Sequence, residues 1–322
     1  MLIAVSRRVF IKLGAIGDVV MAMTAAQFAL KKDRSSISWI IGKQALPLLR
    51  RVLPEIETIV VDEVQLLKSG VLASVLEVAR ANRRLAFRSF DQVVSGYRDS
   101  RYRLLAMSCH SSAVTREFAP RVGQYHADAY YELLSGQKLE SSESPLHPAS
   151  LIPAPDSRGT GIVLAPGGAK NLLRDDALRR YPIEHYVTLA KVGFEQGKSV
   201  TIMGAPSDEW VRPYFSGLPV RFELGTVPLE EVPFWLQQFE RLITHDSGPM
   251  HLGFMSGIPV TAFFGPTRAE EKVPPNYARN ESQVIQGGQG LTCAPCYDGR
   301  NYANCSHQKC LTDLVPSRYF LG

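Results

Sequence analysis

The sequence predicts an α/β protein of two doubly wound domains, and three observations carry that reading. Short apolar runs alternate with helix-length amphipathic stretches along most of the 322 residues. That is the pattern of parallel strands covered by helices on both faces. The alternation breaks once, at Ser141–Gly159, where four prolines and several serines lack any period. The length, finally, is too great for one ordinary core and too small for three. Two domains, 1–150 and 151–322, are therefore expected.

In the first half, Val9–Leu13 reads as a strand and Asp18–Lys31 as a helix. Ile37–Ile41 and Thr58–Val61 follow as strands, Gly70–Phe87 is helical by period, and Asp91–Ser95 returns to strand. After the proline-rich linker the series restarts with strand Gly161–Ala165, helix Ile183–Gln196 and strand Ser199–Met203. Helix Leu229–Phe239 and strands Leu242–Thr244 and Pro259–Phe263 complete it. Such sheets bind ligands beyond the carboxyl ends of their strands, so two facing domains would hold a site in the cleft between them.

Hydrophobic residues make up 45% of the chain and charged residues 21%, which excludes disorder, collagen and coiled coil. No apolar stretch approaches the roughly 18–20 residues that span a bilayer. The start, MLIAVSRRVFIKLG, is broken by Arg7, Arg8 and Lys12 and reads as a strand rather than a signal peptide. A cytosolic enzyme or binding protein is the expected class. The net charge of +5 is uneven: residues 1–150 hold 20 Lys and Arg against 14 Asp and Glu, and 151–322 hold 16 against 17. Arg80, Arg83, Arg84, Arg88, Arg98, Arg101 and Arg103 crowd one segment. They read either as solvated helix faces or as a surface for an anionic partner. No nucleic-acid-binding motif accompanies them.

Four loops that follow strands hold the unusual residues. In Gly14-Ala-Ile-Gly17-Asp18, two glycines allow a tight turn. Asp18 is either a helix N-cap or a carboxylate able to take a proton from a substrate hydroxyl. In Pro166-Gly167-Gly168-Ala169-Lys170, small residues can present backbone N–H groups to an anion, and Arg179-Arg180-Tyr181-Pro182 follows. The third loop, His245-Asp246-Ser247-Gly248-Pro249-Met250-His251, sets a hydroxyl and a glycine before a helix, as a diphosphate cradle does. The fourth is Gly265-Pro266-Thr267. Several motifs are missing. Only two glycines open the first loop, against G-x-G-x-x-G, and Val192 breaks a P-loop reading of Gly197-Lys198-Ser199. No Asp-x-Asp, G-x-S-x-G or H-E-x-x-H occurs.

Cysteines cluster as Cys293-x2-Cys296-x8-Cys305-x4-Cys310, with His307 between the last pair. Four thiolates suit zinc or iron in a closed structural site, and reduced thiols or disulfides are the alternatives. Cys109 stands apart and reads as a small core residue.

Together the loops resemble glycosyltransferase family 9, the ADP-heptose:lipopolysaccharide heptosyltransferases. The carriers are IKLGAIGDVVMAM, LAPGGAK with RRYPIEHYVTLA, and THDSGPMHLGFMSGIPVTAFFGPT, in that order. The tail from Cys293 to KCLTDL is familiar from one branch. The resemblance implies a GT-B fold, with two Rossmann-like domains facing across a cleft, the first binding acceptor and the second the nucleotide sugar. It implies inverting, metal-independent transfer of heptose from ADP-heptose to the lipopolysaccharide inner core. Asp18 matches the catalytic aspartate beside Gly17, and Arg179 the basic residue near the diphosphate. Ser247, Gly248 and His251 match the phosphate-binding motif headed by Asp246. Glu230 falls where the family sets an acid on the ribose, and Gly167, Gly168 and Lys170 complete the donor set. Tyr181 stands where tryptophan is common, and the last helix is expected to be cut short at PSRYFLG.

The expected partners are ADP-heptose, a phosphorylated glycolipid and an anionic membrane surface visited from the cytoplasm, with no nucleic acid. Transfer itself would need no cofactor. Alternatives are another acceptor on the same fold, as in protein O-heptosylation or transfer to another glycan or small molecule. A non-transferring nucleotide-sugar-binding protein or an epimerase is the remaining reading.

Overall fold

The computed structural model describes residues 6–33, 36–111, 116–139, 144–157, 159–299 and 301–321. The chain divides into two units, Met1–Leu146 and His147–Gly322. In the first unit the elements run β1 (Arg7–Ile11), α1 (Ile16–Asp33), β2 (Ser36–Gly42), α2 (Leu46–Val52), β3 (Glu57–Val61), α3 (Glu63–Leu67) and α4 (Val71–Leu85). Then come β4 (Ser89–Phe90), β5 (Gln92–Ser95), α5 (Ser100–Leu104), β6 (His110–Ser111), β7 (Arg116–Glu117) and α6 (His126–Ser135). The sheet order is β3-β2-β1-β5-β7, all parallel, with β4 and β6 pairing separately.

Side-chain alternation along β1 builds both faces of this sheet. Val9 and Ile11 join Leu66, Ala81 and Leu85 on the side of α3 and α4. Phe10 points the other way, with its ring 4.6 Å from Trp39 and 6.2 Å from Tyr130. There α1 packs on α6, and Val19, Val20, Met21, Ala22, Met23, Ala25, Ala26 and Ala29 are wholly buried. A run of small and unbranched residues with few β-branched ones makes this segment both helical and close-packing.

The second unit holds β8 (Ile162–Leu164), α7 (Ile183–Glu195), β9 (Val200–Gly204), β10 (Arg221–Leu224), α8 (Val232–Leu236) and β11 (Arg241–His245). It continues with α9 (Gly248–Ser256), β12 (Val260–Phe264), α10 (Ala269–Lys272), β13 (Gln283–Gln286) and α11 (Lys309–Thr312). Its sheet runs β10-β9-β8-β11-β12-β13, again parallel. Along β12, Val260, Ala262 and Phe264 face α9, whereas Phe263 joins the α7 side with Tyr181, Tyr186 and Leu189.

Two expectations change. The helix read as Leu229–Phe239 is helical only over Val232–Leu236, because Pro233 restricts its start and turns occupy the rest. The linker segment is tied down where described: Pro148–Leu151 forms a 3-10 turn against α9, and Pro148 and Leu151 are buried. Apolar residues among its prolines explain the docking. The chain's last segment forms a 3-10 turn at Arg318–Leu321 that packs on its own unit. Thr261 donates to the Phe320 carbonyl at 2.9 Å, and Leu321 is wholly buried.

Candidate functional site

The sheet order reverses between β1 and β5 in the first unit and between β8 and β11 in the second. The loops with Asp18, residues 167–170 and residues 246–251 leave β1, β8 and β11, while residues 265–267 follow β12. Ligands of doubly wound sheets bind at such points because the loops part there.

In the first unit, residues 12–15 connect β1 to α1. The helix begins at Ile16, so Asp18 lies within its first turn and is not the N-cap. A carboxylate there complements the helix dipole. Its side chain is 34% exposed and accepts a hydrogen bond of 2.9 Å from the Lys12 ammonium, which is 4% exposed. Lys12 is fixed from two sides. The Trp39 indole donates to its carbonyl at 2.9 Å. Its stem lies against Gly96, where an added Cβ would come 3.1 Å from Lys12 Cδ. A lysine inside the apolar run VFIKLG, just before a glycine loop, was the available signal for this pair.

The second unit gathers three loops around Asp246. This residue is 2% exposed, and one oxygen, Oδ2, receives Thr267 Oγ1 at 2.7 Å and Arg179 Nη1 at 3.3 Å. Burial opposes its ionisation, but Arg179, Lys272 and the Thr267 hydroxyl outweigh burial and hold it below the usual carboxylate range. Arg179 also binds Asp176 at 2.9 Å. Burial alone would lower its pKa, yet Asp246, Tyr302 and Asp176 raise it further above the ordinary guanidinium value. Arg180, by contrast, serves the loop itself, donating to the Gly168 carbonyl at 3.0 Å and pairing with Asp175 at 2.5 Å.

Ser247 stands at the N-cap of α9, but its hydroxyl turns back to the His245 carbonyl at 3.1 Å. Among the described residues no side chain caps the helix; Pro249 brings no N–H, and the Met250 N–H donates to the Ser247 carbonyl at 3.1 Å. Gly168 lies beside this turn with φ +80°, and an added Cβ would touch Ser247 Cβ at 3.4 Å. Its N–H is taken by Asp208 at 3.2 Å rather than offered outward. Gly167 is needed for the same reason, since a Cβ there would fall 2.3 Å from Asp208 Cγ. Asp208 is a residue that spacing did not reveal. Lys170 is exposed, and its backbone pairs with that of Asp175 in an isolated antiparallel β-bridge. His251 is buried in α9, close enough to influence Asp246. Glu230 is half-buried in the turn before α8. His245 points into the core, where its Nδ1 meets the Tyr186 hydroxyl at 2.9 Å.

The cysteines line one cavity of about 70 Å³ together with His307. Burial first, then the neighbouring Cys296, Cys305 and Cys293, pushes the Cys310 thiol up to about 11. The donor chemistry suits zinc or iron. Among the described residues, however, no three His, Cys, Asp or Glu side chains are placed to hold an ion. Cys109 is half-buried at the edge of the first core.

In the basic segment, Arg80, Arg88, Arg101 and Arg103 pair with Glu77, Glu57, Asp99 and Glu117. Arg83 and Arg84 stay exposed on α4. On that same helix Val71, Leu72, Val75 and Leu76 are each at least half exposed.

Two parallel, doubly wound units, with small-residue loops at their switch points and an arginine held by two buried carboxylates, define a protein of the doubly wound α/β class whose loops suit an anionic ligand. The sequence model described as glycosyltransferase family 9 (heptosyltransferase) matches residues 110–307, and the chain belongs to that family. The chain spans about a fifth of the length of the first curated relatives that it matches. One, lipooligosaccharide heptosyltransferase 2 of Campylobacter jejuni, is 33% identical over 76 residues, 24% of this chain and 22% of the relative. Among solved structures, a family 9 glycosyl transferase from Veillonella parvula superposes with a TM-score of 0.69 at 23% identity, over 87% of this chain and 85% of that one. E. coli heptosyltransferase WaaC with ADP-2-deoxy-2-fluoro heptose gives 0.65 at 17% identity, over 88% and 93%. The iron-containing dodecameric glycosyltransferase TibC of enterotoxigenic E. coli gives 0.58 at 12% identity, over 98% and 75%. The fold class is that of the GT-B heptosyltransferases.

Proposed function

We propose that the protein transfers a heptose from ADP-heptose to a hydroxyl of the lipopolysaccharide inner core, with inversion at the anomeric carbon. The carrying observation is the matched placement of the Asp18 carboxylate and the Asp246–Arg179 group, each at the switch point of its own sheet. The first unit would receive the acceptor and the second the donor. WaaC, a protein of the same fold, is described with an ADP-heptose analogue, which favours this donor.

In this reading the acceptor hydroxyl attacks the anomeric carbon as the bond to the ADP oxygen breaks. Asp18 takes the hydroxyl proton, held in place by Lys12. Negative charge grows on the leaving diphosphate, where the α9 N-terminus at Ser247 and Gly248, Arg179 and Lys170 would meet it. Glu230 would bind the ribose, Gly167 and Gly168 would let the loop approach, and His251 would support Asp246. The reaction as written asks for no metal, in keeping with a sequence that lacks Asp-x-Asp.

The acceptor is proposed to be met at the cytoplasmic membrane face, peripherally. No helix among the described residues is long and apolar enough to cross a membrane. The exposed stripe of α4 supports the contact: apolar residues fill its first half and Arg80, Arg83 and Arg84 its second, while its one acid, Glu77, is buried. Anionic lipid suits such a face. A structural zinc or iron at Cys293, Cys296, Cys305 and Cys310 is proposed from their thiol chemistry and from TibC's described iron. The ligand set would have to close on the ion, and a metal content far below one per chain would remove the proposal.

The deciding experiment is incubation with ADP-heptose and a panel of acceptors, reading ADP release, product mass and anomeric configuration. Consumption of another nucleotide sugar with no ADP release from ADP-heptose would overturn the donor. Retention of configuration would overturn the displacement.

A further inference from the structure

Transfer chemistry leaves one feature of the cysteine segment without a task. Gln308 adopts φ +47° and ψ 29°, a left-handed conformation unfavourable for a residue with a Cβ. Backbone strain of this kind persists where surrounding contacts over-determine it, and often beside functional groups. The contacts are present on both sides. Toward the cysteines, the Gln308 N–H donates to Cys305 Sγ at 3.3 Å. Away from them, its side-chain amide reaches the carbonyls of Leu178 and Arg180 at 3.0 Å each, and that of Ala177 at 3.4 Å.

Those carbonyls belong to the 3-10 turn Ala177–Arg179 and the residue after it. Within the turn the Arg180 N–H donates to the Ala177 carbonyl at 2.9 Å, and the Gln308 amide NH2 brings two donors to the Leu178 and Arg180 carbonyls. The same turn is braced through the neighbouring loop. Arg174 lies 5.5 Å from the Tyr302 ring and 5.8 Å from the Tyr297 ring, while its Nε meets Asp176 at 3.2 Å. Asp176 in turn holds Arg179, and the Tyr297 N–H donates to the Pro266 carbonyl at 2.9 Å. Tyr297, Tyr302 and Gln308 thus reach both flanks of the Asp246–Arg179 group.

We propose that Gln308 is a positioning residue for the donor diphosphate, through which the cysteine segment holds the Arg179 turn in register with Asp246. This rests on the reading of Arg179 as a diphosphate ligand. The amide fixes the backbone at Leu178 and Arg180, on either side of Arg179. Without it the guanidinium keeps its two carboxylates but loses its fixed origin. Coupling to the cysteines follows because Gln308's own backbone is set by Cys305.

The test is ADP binding by calorimetry to the full chain and to Gln308→Gly, Arg179→Ala and the double variant. Glycine accepts φ +47° without strain, so the loop keeps its path while the amide is lost. Thermal unfolding midpoints for all four proteins identify any variant that fails to fold. ADP affinity should fall about ten-fold in Gln308→Gly, a size usual for coupled neighbours. It should fall further in Arg179→Ala, and the double variant should bind no more weakly than Arg179→Ala alone. An equal additional fall in the Arg179→Ala background would mean that Gln308 acts on the fold at large, and overturns the proposal. So would unchanged affinity in Gln308→Gly. If Arg179→Ala binds ADP like the unaltered chain, the diphosphate reading itself fails. A Gln308→Glu variant adds a sharper arm, since a carboxylate facing carbonyls should weaken binding more than glycine does.

Discussion

The Lys12 ammonium lies 2.9 Å from the Asp18 carboxylate, and the lysine is buried while the aspartate is one-third exposed. The pair is therefore one-sided: the cation is locked in the unit and the anion alone reaches solvent. In the proposed transfer the ammonium would orient the Asp18 carboxylate from behind and hold it ionised, at the cost of making it a weaker base.

Asp18→Asn should bind ADP normally and lose about 10²–10⁴-fold in kcat, the usual range for removal of a general base. Steady-state kinetics beside ADP calorimetry check it, and near-normal turnover would remove Asp18 from the role. The same change strands the buried ammonium and should lower the unfolding free energy by roughly 1–2 kcal/mol, a value discounted for the exposed partner. Adding Lys12→Met should restore stability without restoring activity.

Thr267→Val keeps the shape of the side chain and removes the 2.7 Å hydrogen bond to Asp246. Bonds to a buried charged group are worth about 1.5–3 kcal/mol, and that is the expected loss in urea unfolding. Donor KM should rise more than kcat falls, because Asp246 orients Arg179 in the ground state as well. A variant with unchanged stability and KM would show that Asp246 does not depend on Thr267.

Burial lowers His245 to about 3 and His147 to about 4, so both fold neutral. The unfolded chain takes up these protons near pH 6.5. Between that value and the folded ones the unfolded state binds more protons, so stability falls on acidification and is complete above about pH 6.5. Each imidazole should contribute a slope of up to about 1.4 kcal/mol per pH unit. Urea midpoints at pH 7.5 and 5.0 should differ less in His147→Gln than in the unaltered chain. An identical difference would exclude His147 as a source.

Leu72→Glu with Leu76→Glu should abolish sedimentation with anionic vesicles at low salt while leaving the unfolding midpoint nearly unchanged, since exposed positions rarely affect stability by more than about 0.5 kcal/mol. Binding by the unaltered chain should weaken as salt rises, because the α4 arginines act through a screened field. Salt-insensitive binding, or undiminished binding by the variant, would count against α4 as the contact.

The parallel sheets were legible because their strands are buried on both faces and read as continuous apolar runs, such as VTAFF in β12. Loop chemistry was legible where glycine and proline punctuate the ends of strands. Less legible were residues whose partners lie far away in sequence. Asp208 meets Gly168 across 40 positions and Gln308 meets Leu178 across 130, distances that no local period spans. Four of the seven arginines in the basic segment meet carboxylates that the sequence alone did not pair with them, Glu77 on α4 itself, Glu57 of β3, Asp99 before α5 and Glu117 of β7.

The sequence by itself determined the alternation of strand and helix, the two units and the loops that hold Asp18, Arg179, Asp246 and Ser247. Hydrophobic period and turn chemistry are local properties, and they survive without a fold. Only the tertiary structure decided which distant groups those loops meet. It distinguished Arg179, gripped by two buried carboxylates, from its neighbour Arg180, consumed by the Gly168 loop. It set Asp18 inside the first turn of α1, which removes the N-cap alternative. The reason is that a hydrogen bond between distant residues depends on where packing sets two backbones, and no run of neighbouring side chains records that.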